Sequence, residues 1–107
     1  MNGYQLVFYT EKDRSHQHKP IGEWLLSIVQ SLNIRGATLS TAIEGIGRDH
    51  KFHSAYFFDL ADQPIIVTVV VSEEECTKLL NLLNAEKDLR LFYVRTPVEF
   101  GSIGGEQ

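Results

Sequence analysis

Apolar residues along this chain follow two rhythms. Ile21, Trp24, Leu25, Ile28, Val29 and Leu32 recur at the three-four spacing of one helical face. Pro20 suits the first turn of that helix, and Asn33 and Gly36 stop it. Cys76, Leu79, Leu80 and Leu83 mark a second helix. Its start is "SEEE": Ser72 is placed as N-cap with Glu75 three residues on, which is a capping box. Val71 and Cys76 stand where a hydrophobic staple would, and three carboxylates sit at the positive end of the helix dipole.

The remaining apolar stretches are rich in aromatic and β-branched residues and predict strands: "YQLVFYT" (4–10), "GATLSTAIEGIG" (36–47), "FHSAYFFDL" (52–60), "IIVTVVV" (65–71) and "LRLFYV" (89–94). The run at 65–71 is almost continuously apolar and predicts a central strand buried on both faces. Pro97 is expected to interrupt the last strand and to leave "VEF" (98–100) as a short edge piece. "EKDRSHQHK" (11–19), "RDHK" (48–51) and "AEKD" (85–88) are polar and read as loops, and "GSIGGEQ" as a glycine-rich tail. The order is strand–helix–strand–strand–helix–strand, with extra strand length in the middle. Two right-handed strand–helix–strand units give an antiparallel sheet with both helices on one face. The predicted class is α+β, a ferredoxin-like βαββαβ sandwich. Its second sheet face is uncovered and carries some of the aromatics Tyr4, Phe8, Tyr9, Tyr56, Phe57, Phe58, Phe92 and Tyr93. Such a face is better explained by association between subunits than by solvent.

Composition narrows the function classes. A length of 107 residues fits one domain, 1–107, and a net charge of −4 is the wrong sign for a nucleic-acid footprint. One cysteine, Cys76, leaves no internal disulfide and fits a reducing, cytoplasmic setting. No secretory leader pattern opens the chain, and the longest apolar run is far short of the ~20 residues a membrane helix needs.

Candidate chemistry is sparse. His16-x-His18 and His50-x-x-His53 have spacings that suit zinc or copper, but no second cysteine or carboxylate cluster completes a site. Cys76 falls on the apolar stripe of its helix, where a structural role outweighs a reactive one. No nucleophile elbow or phosphate loop occurs, and Glu44 with Asp49 has nothing to fix it as an acid–base pair. Enzymatic activity is not expected. The loop 11–19 offers Lys12, Arg14 and Lys19 to an anion, or is simply solvated. In "EGIG" (44–47), glycines permit close approach of a ligand or another backbone, or form a plain turn.

"PIGEWLL" (20–26), "NIRGATL" (33–39), "AIEGIG" (42–47) and "KFHS" (51–54) together resemble the PII-like signalling proteins. "LADQPIIVTVVVS" (60–72) resembles that family's third strand and the start of its second helix. The likeness covers nearly the whole chain. It implies a homotrimer with sheets facing inward, no enzymatic activity and no tightly bound cofactor. It further implies an adenine nucleotide or related small molecule held in clefts between subunits. A loop after the second strand would then act on a partner protein, a membrane transporter being one candidate. Carried over, Phe8, Thr38, Gly45, Gly47, Arg48 and Arg95 are the ligand-binding candidates, and Asp49, His50, Lys51 and His53 belong to the partner loop. PII proteins proper hold phosphates with a glycine- and lysine-rich loop before the last strand, whereas "NAEKDLR" (84–90) has no glycine. The expected ligand is therefore AMP, ADP, a cyclic or dinucleotide, or another adenylated small molecule rather than ATP. A sensor needs differential affinity between two states, and loops 11–19 and 47–53 are the expected ordering elements. The rival readings are a trimeric metal-tolerance protein using His16, His18, His50 or His53, and an acylphosphatase-type enzyme. Against the second, Arg14 stands in a loop that lacks glycine.

Overall fold

A computed structural model describes residues 1–41, 44–46, 52–54 and 63–105, with the backbone alone at 44–46 and 52–54. The elements are β1 (Asn2–Glu11), β2 (Ser15–His16), β3 (Lys19–Pro20), α1 (Ile21–Ser31), β4 (Gly36–Thr41), β5 (Glu44–Ile46), β6 (Phe52–Ser54), β7 (Pro64–Ser72), α2 (Glu73–Asn84) and β8 (Phe92–Glu99). Four of them form an antiparallel sheet in the order β4-β7-β1-β8. This is the ferredoxin-like order, and the expected α+β class holds. β2 pairs with β3, and β5 with β6, as small separate ribbons.

Both helices lie on one sheet face. Ile21, Trp24, Leu25 and Val29 from α1 meet Cys76, Leu79 and Leu83 from α2 over Leu6 and Phe8 of β1 and Ile65, Val67, Val69 and Val71 of β7. Pro20 stands just before α1 as its N-cap rather than inside the first turn, whereas the signals at Ser72 and Asn33 operate as chemistry predicts. Ser72 Oγ accepts from the Glu75 amide, and Glu75 Oε1 accepts from the Ser72 amide, so the capping box is complete. At the end of α1, Asn33 takes φ 58°, the Asn33 amide donates to Gln30 and the Ile34 amide to Val29. That pair of bonds is a Schellman closure, with asparagine in glycine's usual place. Gly22 lets α1 close on the sheet, since a Cβ there would stand 2.8 Å from Leu39 Cδ1.

Four other expectations change. β7 is central, between β4 and β1, but within the subunit only its odd-numbered residues are buried. Helices cover just one face, so Ile66, Thr68 and Val70 stay partly open. The stretch 36–47 is not one strand: β4 joins the main sheet and β5 pairs with β6. The last strand starts at Phe92 rather than Leu89 and runs through Pro97. Asp88 and Arg90 have φ 59° and 45°, which no strand accommodates, and β8 is an edge strand, where proline's missing N–H is tolerated. Finally, the polar segment 11–19 contains a hairpin, β2–β3, turning at Gln17 and His18. Of the strand expected over 52–60, β6 is the described part, and Tyr56, Phe57 and Phe58 lie outside the described residues.

Candidate functional site

The sheet face away from the helices can be read row by row from the register. Phe92, Tyr9, Ile66 and Ser40 lie side by side; so do Val94, Val7, Thr68 and Thr38; so do Thr96, Gln5, Val70 and Gly36. The apolar members cluster on β8, β1 and β7, and the hydroxyls of Thr68, Thr38 and Ser40 lie toward the β4 edge. Phe92 is 58 % exposed, Tyr9 42 %, Val94 41 % and Val70 37 %. The Tyr9 and Phe92 rings are 5.8 Å apart. Neighbouring apolar side chains left open on one sheet face make it a candidate contact surface.

The candidate ligand residues fall on different parts of this frame. Thr38 is exposed on the open face, opposite Thr68. Phe8 is on the helix face, 1 % exposed, with its ring 6.0 Å from that of Tyr93. Arg95 shares that side, next to Leu6 in the ladder, with its guanidinium 5.0 Å from the centre of the Tyr4 ring. Gly45 pairs with His53 across the β5–β6 ribbon. Gly47, Arg48, Asp49, His50 and Lys51 lie outside the described residues. One subunit therefore does not bring Phe8, Thr38 and Arg95 to a common point. Shallow grooves lie elsewhere among the described residues. One, of about 350 Å³, is bordered by Tyr4, Glu73, Pro97 and Glu99. Another, of about 410 Å³, lies between α1 and β4 and is bordered by Leu26, Val29, Ile34 and Arg35.

The first loop differs most from its expected form. Arg14 is not a solvated cation: its guanidinium donates to the carbonyls of Leu89 (2.7 Å) and Arg90 (3.2 Å). His16 Nε2 stands 2.7 Å from Glu86 Oε1, and the side-chain amide Nε2 of Gln17 donates to the same oxygen at 2.9 Å. The His16 ring lies edge-on to Trp24, with centroids 4.4 Å apart. Sequence reasoning missed Glu86, which sits 70 positions from His16 and carries no local signal. Among the described residues no three His, Cys, Asp or Glu side chains gather into a metal-holding group. Cys76 is buried in the core as a small apolar residue.

Comparison with known proteins places this geometry. The UPF0166 protein of Aquifex aeolicus (strain VF5) is 29 % identical over 76 residues, covering 70 % of this chain and 72 % of that protein. Among solved structures, a PII-like signaling protein from Thermus thermophilus aligns with TM-score 0.63 and 20 % identity over 91 % of this chain and 85 % of its own. CPII of Thiomonas intermedia K12, a nitrogen regulatory PII-like protein bound to ADP, AMP and bicarbonate, aligns with TM-score 0.67 and 18 % identity over 95 % of this chain and 91 % of its own. The apo form of CPII aligns with TM-score 0.62 and 16 % identity, covering 96 % of both chains. These structures share the fold. The model of the family DUF190, described as "Uncharacterized ACR, COG1993", matches residues 3–96, and the chain belongs to that family, built on a PII-like ferredoxin-like fold.

Proposed function

We propose that this chain is a single-domain, cytoplasmic, non-enzymatic PII-like regulator. In this reading it assembles as a homotrimer through its open sheet face. It binds an adenine nucleotide or related small molecule at the clefts between subunits. Occupancy then acts on a partner protein through residues 47–53, the segment that leads from β5 into β6.

The open face carries the reading. It presents Phe92, Tyr9, Val94, Val7 and Ile66 as one apolar area that ends at Thr68, Thr38 and Ser40 beside the β4 edge. Burying the apolar part between copies leaves Thr38 near the margin of the interface, where a second subunit can complete a cleft. Phe8, buried on the helix side, stays in the core, and Arg95 lies on that same side, away from the open face. CPII, which shares the fold, holds ADP and AMP. Support for a mono- or diphosphate comes from the connector between α2 and β8. Its left-handed residues are Asp88 and Arg90, and no glycine opens its amides toward a long phosphate chain.

Calorimetric titration with AMP, ADP, ATP and cyclic dinucleotides, with native mass spectrometry of the same sample, tests both halves. The expected result is a trimer that binds AMP or ADP below the millimolar range and ATP more weakly. A monomer, or a trimer that binds none of the four, defeats the proposal. The metal reading has less to stand on: His16 Nε2 is already engaged by Glu86, and His18 has no second and third ligand beside it among the described residues.

A further inference from the structure

Five described non-glycine residues have positive φ: Gln17, His18, Asn33, Asp88 and Arg90. Asn33 is explained as the residue that closes α1. The other four lie in two segments, the β2–β3 hairpin and the α2–β8 connector, which are far apart in sequence and tied together in space. Gln17 (φ 51°) and His18 (φ 67°) supply the positive-φ pair that a tight two-residue hairpin turn requires, a task usually given to asparagine and glycine. Asp88 and Arg90 hold the connector out of strand geometry. Such conformations persist only where the surroundings impose them.

Here the surroundings are each other. Arg14 donates to two successive connector carbonyls, at Leu89 and Arg90, groups that a strand would have given to its neighbour. His16 and Gln17 both reach Glu86 Oε1. The hairpin is in turn fixed to α1: the Ile21 amide donates to the Arg14 carbonyl at 2.9 Å, and His16 packs against the buried Trp24. Each segment is strained, lacks glycine, and is held by side chains of the other. We infer that residues 14–20 form a strap that holds the α2–β8 connector in its left-handed conformation, and that strap and connector open and close as one unit against an otherwise rigid sheet. The strap thereby links the connector to the first turn of α1. It stands on these contacts alone, whether or not a nucleotide binds.

Amide hydrogen exchange on the full chain tests the coupling from both sides. Glu86→Ala, which removes a connector group, should speed exchange at the Arg14 amide on the strap and at the Ile21 amide that donates to the Arg14 carbonyl by about a hundredfold, roughly tenfold for each of the two hydrogen bonds to the carboxylate that are lost. Arg14→Lys, which cannot hold two carbonyls at once, should speed exchange across residues 85–91 in the same way. Amides of β1 and β7 should keep their wild-type protection in both variants. Acceleration confined to the substituted segment overturns the inference, as does acceleration spread equally over β1 and β7. If Glu86→Ala does not fold, Arg14→Lys and Glu86→Gln put the same question with smaller changes.

Discussion

Replacing Phe92 with aspartate tests the open face directly. Phe92 sits on the edge strand β8 with 58 % of its surface free, and among the described aromatic side chains its ring meets Tyr9. A buried aromatic residue covers roughly 150–250 Å², so about 100 Å² at Phe92 is left for another copy to cover. At ~25 cal/mol per Å² that burial contributes ~2.5 kcal/mol per subunit to assembly. Each subunit of a trimer loses it at once, so the concentration of half-dissociation should rise several hundredfold, at about tenfold per 1.4 kcal/mol. A carboxylate facing an apolar partner adds a desolvation penalty, so this figure is a lower bound. The subunit core is not involved, because Leu6, Phe8, Val67 and Leu79 lie on the other side of the sheet. Sedimentation velocity over a dilution series gives the readout, with circular dichroism to confirm that the subunit remains folded. Ile103→Asp is the control: Ile103 is fully exposed, but in the tail. A Phe92→Asp protein that assembles like wild type, or an Ile103→Asp protein that dissociates as readily, refutes the assignment of this face.

Two further substitutions probe the subunit. Gly3 lies in β1 against the backbone of β7, and a Cβ there would fall 2.0 Å from the Val71 carbonyl oxygen and 2.9 Å from the Phe100 ring. Gly3→Ala should cost about 1–3 kcal/mol by overpacking, seen as a lower urea midpoint; an unchanged midpoint would mean that β1 and β7 are not so close. Ser72→Ala removes the acceptor for the Glu75 amide and should cost about 1 kcal/mol, with Thr77→Ala on the exposed side of the same helix as a near-neutral comparison; equal effects would deny the cap its role.

Much of the architecture was legible because its signals are local. The α1 stripe, the capping box and the aromatic and β-branched run of β1 each depend on residues within a few positions of one another. The hairpin at 15–20 was not legible for the opposite reason. Its turn uses glutamine and histidine where the usual turn residues are asparagine and glycine, and its fastening is Glu86, far along the chain. β8 shows the same limit. "LRLFYV" has strand composition throughout, but Arg14 takes the Leu89 and Arg90 carbonyls and the extended run begins only at Phe92. Of the candidate ligand residues, Thr38 sits on the open face. Phe8 and Arg95 share the opposite side of the sheet, a separation that motif matching cannot see because alternation along each strand decides it.

Assembly and ligand binding should be one equilibrium if the cleft reading is right. A nucleotide that binds only between subunits favours the assembled state by mass action. Its apparent affinity must then fall as the protein is diluted below the concentration at which subunits separate. A site contained within one subunit has no such dependence. Phe92 and Thr38 lie on the same face but at opposite edges of the sheet, on β8 and β4, so Phe92→Asp need not touch a ligand beside Thr38 within one subunit. Loss of AMP binding by Phe92→Asp, regained at protein concentrations that restore assembly, would therefore locate the ligand between copies. Binding that survives dissociation would instead place it within the subunit, where, among the described residues, the grooves bordered by Glu73 and by Arg35 are places to look.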